Sequence, residues 1–257
     1  MATFIIGDLH GYHDVYHRLL QDAGLADSRG NWTGGIHELW LIGDLFDRGP
    51  SGIDCVELTM ALQQQAGQRG GHVNALLGNH EMMILCARKF GDQPTSSGMP
   101  VTELWRMWGG NRRDLDRMRS VHADWLARLP AMVKLDDTLL LHADAIFYVE
   151  LGRTVDEVNQ RMTSLLDSDD LASWETMLRA FSEHKAFSGL GQTGLQRASQ
   201  LLRYYEARRL VHGHTPINIA KPQPAHRVTS AWHYAGGSCI NVDGGIYLGG
   251  PGFVHQL

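Results

Sequence analysis

Short apolar runs, each stopped by glycine or histidine and followed by a stretch with helical patterning, recur along this chain. Thr3-Phe4-Ile5-Ile6, Leu39-Trp40-Leu41-Ile42 and Val73-Asn74-Ala75-Leu76-Leu77 read as buried strands, the first two largely β-branched or aromatic. Behind them stand helix-compatible stretches from Tyr12 to Ala23, Ser51 to Gln65 and Glu81 to Phe90. Leu139-Leu140-Leu141 and Leu210-Val211 predict two more strands. Leu165, Leu166, Leu171, Trp174, Met177, Leu178 and Phe181 fall near helical spacing, so Thr154 to Phe181, and likewise Thr193 to Arg209, read as amphipathic helices. Strand, loop and helix in repetition predict an α/β fold.

The polar residues sit where those strands end. Gly7-Asp8-Leu9-His10-Gly11, Gly43-Asp44-Leu45-Phe46-Asp47-Arg48-Gly49 and Gly78-Asn79-His80-Glu81 follow the first three runs. His142 ends the fourth, and His212-Gly213-His214-Thr215-Pro216 the fifth. In open α/β sheets the carboxyl ends of strands converge on one crevice. Oxygen and imidazole donors at five such ends predict a two-metal site along one sheet edge. Alone, each block could be a turn, a helix cap or a structural histidine; five in order are specific.

In this order the blocks resemble the calcineurin-like metallophosphoesterases, over about residues 4 to 216, and within them the phosphoprotein phosphatase branch, which includes bacterial serine/threonine phosphatases and symmetrical diadenosine tetraphosphatases. The resemblance implies a metallophosphoesterase-type central β-sandwich flanked by helices, with helical lid insertions. It implies that Asp44 bridges two divalent ions, that Asp8 and His10 hold the first, and that Asn79, His142 and His214 hold the second. His80 then acts as general acid, oriented by Asp47, and Arg48 clamps the phosphate with Asn79 also touching substrate. A mixed oxygen and nitrogen donor set without thiolate suits Mn²⁺, with Fe or Zn²⁺ as alternatives, rather than Ca²⁺ or Cu(I). A metal-bound water, its pKa lowered from about 15.7 to about 7, would attack phosphorus directly, so no Ser or Cys nucleophile is needed. The substrate class implied is a phosphomonoester, on a phosphorylated protein or a small molecule. Dinucleoside polyphosphate hydrolysis and phosphodiester hydrolysis use the same machinery and stand as alternatives, and a non-catalytic scaffold is the contrasting reading.

Departures from the family pattern mark further candidates. His142-Ala143-Asp144 stands where relatives carry His-Gly-Gly or His-Ala-Gly, so Asp144 is expected either to support His142 or to face solvent. Phe187-Ser188-Gly189 puts Ser188 where relatives carry a phosphate-binding arginine, with Lys185 or Arg112 as candidate substitutes. His212 is a candidate metal or substrate contact, because related phosphodiesterases use two histidines here. Trp105 and Trp108 read either as a substrate wall or as lid-helix core. Gly91 to Pro100 has loop composition and is expected to be mobile. Ile240 to Gly250 resembles the family's closing hairpin, its glycines serving the turn.

Composition narrows the classes. A chain of 257 residues, 43% hydrophobic and 20% charged, can bury its core as a single domain over 1–257, with candidate lid segments within 88–130 and 150–209. A net charge of −5 without a long basic run argues against a strong nucleic-acid footprint. Most of the 14 histidines have no motif support. Three cysteines without a CxxC pair, Cys55 and Cys86 among them on helical stretches, suggest a reducing, cytoplasmic setting. The first strand begins at Thr3 and no apolar span of about 18 residues occurs, so neither a signal peptide nor a membrane span is expected.

Overall fold

Alternation inside the apolar runs decides how the sheets pack. The structure, a computed structural model that describes residues 1–189 and 191–257, places Ile5, Trp40, Ile42, Leu140, Val211 and Ile240 in one buried cluster, and Ile6, Leu39, Leu41, Leu139, Leu141 and Leu210 in another. Neighbouring strand residues point to opposite faces, so the first set lies between two sheets and the second packs beneath helices. The expected sandwich follows.

In chain order the elements are β1 (Thr3–Ile6), α1 (His13–Asp22), β2 (Glu38–Leu41), α2 (Gly52–Gly67), β3 (His72–Ala75), α3 (Asn79–Phe90), α4 (Val101–Met107), α5 (Arg112–Arg117), α6 (Ser120–Leu126), β4 (Met132–Leu135), β5 (Thr138–Leu141), α7 (Tyr148–Leu151), α8 (Val155–Asp167), α9 (Leu171–Phe181), α10 (Gln192–Tyr204), β6 (Arg209–His212), α11 (Ile217–Ala220), β7 (Trp232–Tyr234), β8 (Cys239–Asn241) and β9 (Val254–Gln256). One sheet has the order β3-β2-β1-β9, parallel except for β9; the other has β4-β5-β6-β8-β7, with β5, β6 and β8 parallel. The parallel strands of both sheets end on the same side of the sandwich, which is where the ligand-type residues gather.

Four local outcomes differ from the sequence reading. The residues from Ile240 to Gly250 form a turn between strands of different sheets rather than a closing hairpin, because β8 pairs with β6 and β7 while β9 pairs with β1. Helix α3 starts at Asn79 rather than Glu81, because the Glu81 carboxylate turns back to accept from the Gly78 N–H at 2.9 Å and closes the first turn. The stretch from Thr154 to Phe181 is two helices: the Asp170 side chain accepts from the Ala172 N–H at 3.1 Å and starts α9 afresh. Leu190, inside the second candidate lid segment, lies outside the described residues. The segment from Gly91 to Pro100 is folded on itself by a Pro94–Pro100 bridge and a Thr95 N–H to Met99 carbonyl bond of 2.8 Å. It is also tied to α9, the Ser96 N–H donating to Glu175 at 2.8 Å. Its glycine and proline content reflects tight turns rather than loose chain. Among the described residues no helix is long and apolar enough to cross a membrane.

Candidate metal centre

The loops after β1, β2, β3, β5 and β6 bring their side chains to one point, and those after β1, β2 and β6 do so by bending the backbone into unusual conformations. His10, Asp44, Asp47, Arg48 and His214 all have positive φ, between 47° and 67°. Non-glycine residues adopt this region at a cost, and such residues cluster at functional sites. Close backbone contact is needed too: a Cβ at Gly43 would lie 2.8 Å from the Gly78 nitrogen, so only glycine lets the two loops meet.

Asp44 lies at the centre, 2% exposed, with one carboxylate oxygen toward each of two imidazole groups. Its Oδ2 is 3.7 Å from His10 Nε2, and its Oδ1 is 3.3 Å from His142 Nε2. Backbone carbonyls aim both rings: His10 Nδ1 donates to Phe46 at 2.9 Å, and His142 Nδ1 donates to Ile42 at 2.7 Å. In neutral imidazole this leaves Nε2 as a lone pair directed inward. Asn79 Oδ1 completes the second group, 3.0 Å from His142 Nε2 and 3.0 Å from His214 Nδ1. Donor atoms of His10, Asp44 and His80 lie within 4.8 Å of one another, and so do those of Asp44, His142 and His214. Carboxylate, amide and imidazole donors converging on one buried point are a set that could hold a cation. His214 Nε2 and Asp243 Oδ2, buried without hydrogen-bond partners among the described residues, point the same way.

Electrostatics agrees. Burial, then the charges of Asp243 and Asp44, push Asp8 well above the usual carboxylate range. Burial and Asp44 push Asp243 up to about 7. Although burial opposes ionisation, His142 and His80 hold Asp44 well below its ordinary value. Burial lowers His10 and His214 well below normal, whereas Asp44 raises His142 to about 10 against its own burial. Three carboxylates at one buried point are unfavourable unless positive charge compensates them, and two divalent ions would do so.

On the rim, His80 Nδ1 is 2.7 Å from Asp47 Oδ2, and Arg48 places Nη2 at 3.2 Å from His80 Nε2 and Nη1 at 3.2 Å from His10 Nε2. Asp47 is fully buried and also accepts from the Trp105 indole N–H at 3.0 and 3.1 Å. Glu81, also fully buried, accepts from the backbone N–H groups of Asp44 at 2.7 Å, Leu45 at 2.6 Å and Gly78 at 2.9 Å, locking two site loops together.

Not every expected residue arrives where the sequence placed it. The compact donor triple around His10 includes His80, whereas both Asp8 oxygens accept from the His214 N–H, at 3.1 and 3.0 Å. Arg112 stays away from the centre: it pairs with Asp116 one turn on at 2.8 Å and lines a separate surface depression with Asp92 and Glu103. His212 is turned away too, its Nε2 2.7 Å from the Tyr234 hydroxyl and its Nδ1 on the Gly213 carbonyl, and burial lowers it to about 4. Lys185 donates its Nζ to the Ile219 carbonyl. Asp144 neither supports His142 directly nor faces solvent; it is buried, accepting from the Thr215 hydroxyl at 2.5 Å and the Lys185 N–H at 2.8 Å.

The sequence reading assigned no role to Glu81, Asp243, His184 or Tyr247, although Glu81, Asp243 and Tyr247 stand inside its motifs. Position after an apolar strand was an available signal for Glu81 and Asp243. His184 stacks on His214 with ring centroids 4.0 Å apart and planes 8° from parallel.

Beside Arg48, Asn79 and His214 opens a cleft of about 470 Å³. Its walls come from α4 and α9, through Leu104, Trp108, Leu178 and Arg179, and from Thr95 to Ser97. The two tryptophans part company here. Trp105 is 2% exposed and anchors Asp47, while Trp108, 54% exposed, forms the open wall.

Comparison with known proteins gives a consistent result. The family described as calcineurin-like phosphoesterase matches residues 1–218. A symmetrical bis(5'-nucleosyl)-tetraphosphatase of Chromohalobacter salexigens is 31% identical over 147 residues, 56% of this chain and 44% of that protein. Shewanella-like protein phosphatase 2 of Arabidopsis thaliana is 33% identical over 105 residues, 40% of this chain and 26% of that one. The matches thus span less than half the length of these curated relatives. A cold-active protein-tyrosine phosphatase of a psychrophile Shewanella sp. shares the fold, with a TM-score of 0.73 at 24% identity, covering 100% of this chain and 75% of that one. With the motif series, the sandwich and most of the chain matched, the protein belongs to the calcineurin-like phosphoesterase family, a family of hydrolases.

Proposed function

We propose that this protein is a metal-dependent phosphoesterase that hydrolyses phosphomonoesters, carried on a protein or on a small molecule. The observation that carries the reading is Asp44, a single carboxylate set between two groups of inward-facing donors with Arg48 and His80 on the same rim. Asp8 and His10 belong with the first ion, and Asn79, His142 and His214 with the second. Asp8 and Asp243 add negative charge, and Mn²⁺ is the favoured occupant of both positions. When bound, the ions supply Lewis acidity at phosphorus and an acidified water.

The chain's own residues do the rest. Arg48 offers a planar fork to two phosphoryl oxygens. His80 protonates the leaving oxygen from Nε2, because Asp47 holds Nδ1 and fixes the tautomer. The ester's alcohol portion occupies the cleft between α4 and α9, so the segments within 88–130 and 150–209 act as a lid over a single catalytic domain. Trp108 is the exposed aromatic of that cleft, and Trp105 lines it from the buried side.

The likeness to a symmetrical tetraphosphatase supports dinucleoside polyphosphate hydrolysis as the second reading. Metal-stripped protein refilled with Mn²⁺ and offered an aryl phosphomonoester, an aryl phosphodiester and diadenosine tetraphosphate side by side tests both. Preference for the monoester upholds the first reading, preference for the tetraphosphate replaces it with the second, and absence of metal-dependent turnover overturns both.

A further inference from the structure

The turn after β8 carries a residue that none of the roles above uses. Asp243 accepts from the Gly245 N–H at 2.9 Å, Gly245 and Gly249 take left-handed conformations, and Ile246 is buried. A rigid short turn results, and it presents Tyr247 half-buried at the rim of the metal centre. The Arg48 guanidinium carbon lies 4.1 Å from the Tyr247 ring centroid, and the ring stands edge-on to His10 with centroids 4.9 Å apart. Packing closes the other parts of Arg48 as well: its N–H donates to Gly109 at 2.8 Å, and a Cβ on Gly109 would lie 2.9 Å from its Cγ.

Arg48 needs such support. Its side chain is solvent-exposed, and a free arginine gives up about 2 kcal/mol of rotamer freedom when fixed. If phosphate had to order it at each encounter, that loss would come out of the affinity. An aromatic face against the guanidinium plane restrains the group in advance while leaving its N–H edges free. Both terminal nitrogens are in fact directed at the centre, each 3.2 Å from an imidazole.

We propose that Tyr247 is a positioning residue for phosphoryl recognition, its ring face holding the Arg48 fork aimed at the metal centre. The proposal rests on the phosphoesterase reading for what Arg48 binds, but the positioning itself is separable from turnover. It concerns the ring and not the hydroxyl, which sets the test.

Tyr247→Leu is expected to weaken inorganic phosphate binding to the Mn²⁺-loaded protein by about 2- to 30-fold in calorimetry, the worth of an exposed to desolvated cation–π contact. KM for 4-nitrophenyl phosphate should rise by a similar factor, with kcat less affected and metal content unchanged. Tyr247→Phe should restore the affinity, and in an Arg48→Ala background Tyr247→Leu should add nothing. In the metal-free protein, ring-current shifts of the Arg48 side-chain NMR signals should persist in Tyr247→Phe and vanish in Tyr247→Leu, which reads the contact without turnover and in whatever fraction is folded. Equal losses from Tyr247→Leu with and without Arg48, or a Tyr247→Phe variant as weak as Tyr247→Leu, would overturn the proposal. Tyr247-dependent phosphate binding without hydrolysis would refute the hydrolase reading and leave this one standing; hydrolysis and binding indifferent to Tyr247→Leu would do the reverse.

Discussion

His80 is the residue whose two candidate roles the structure brings closest together, and His80→Ala separates them. As general acid it gives a proton to the leaving alkoxide; as ligand it helps hold the first ion. His142 Nε2 and His10 Nε2 stand 3.3 and 3.7 Å from the Asp44 oxygens, while His80 Nε2 stands 4.0 Å away and 3.2 Å from an Arg48 nitrogen. With Asp47 on its other nitrogen at 2.7 Å, His80 turns Nε2 to the rim, where it accepts from Arg48 and from where it would pass a proton to the leaving group. Loss of a general acid costs about 10²–10⁴ in rate, and only where the leaving group needs the proton. His80→Ala should therefore cut kcat by about that factor on phenyl phosphate, by much less on 4-nitrophenyl phosphate, and leave two ions per chain by inductively coupled plasma mass spectrometry. A uniform loss across leaving groups, or loss of an ion with His80, would refute the assignment and make His80 a ligand.

Other residues give sharper single readouts. Asp44→Ala should release both ions, and retention of two tightly held ions would end its bridging role. Trp105→Phe removes the indole donor from buried Asp47, at about 1.5–3 kcal/mol, and should lower Tm by roughly 3–12 °C for a chain of this size; an unchanged Tm would show that the bond contributes nothing. Glu81→Gln turns an amide nitrogen toward at least one of three backbone N–H donors, so a loss of about 1–3 kcal/mol in urea unfolding is expected, with metal affinity falling alongside. His212, lowered by burial to about 4, binds its proton less readily folded than unfolded, so stability is lost as pH falls from about 6.5 and levels off below about 4, some 3 kcal/mol in all. His212→Gln should flatten that part of the pH–stability curve, and an unchanged slope would mean that another group dominates it.

The sequence by itself determined β1, β2, β3, β5 and β6, the blocks at their ends and hence the chemistry offered. A strand buried on both faces must be apolar throughout, and a loop that turns sharply at its end must carry glycine, so Ile5, Ile42, Gly43 and Gly78 announce themselves locally. Motif residues such as Asp8, Asp44, Asn79 and His142 stand within a few positions of such signals. The tertiary structure alone decided what meets what across long separations. Asp47 meets Trp105 from a lid helix 58 positions away, and Arg48 meets Tyr247 from the last turn of the chain. Arg112 and His212, both candidates from the sequence, are drawn off by Asp116 and Tyr234. Periodicity reports which face of an element is buried, but a side chain's partner depends on where distant elements come to rest, and no local pattern records that.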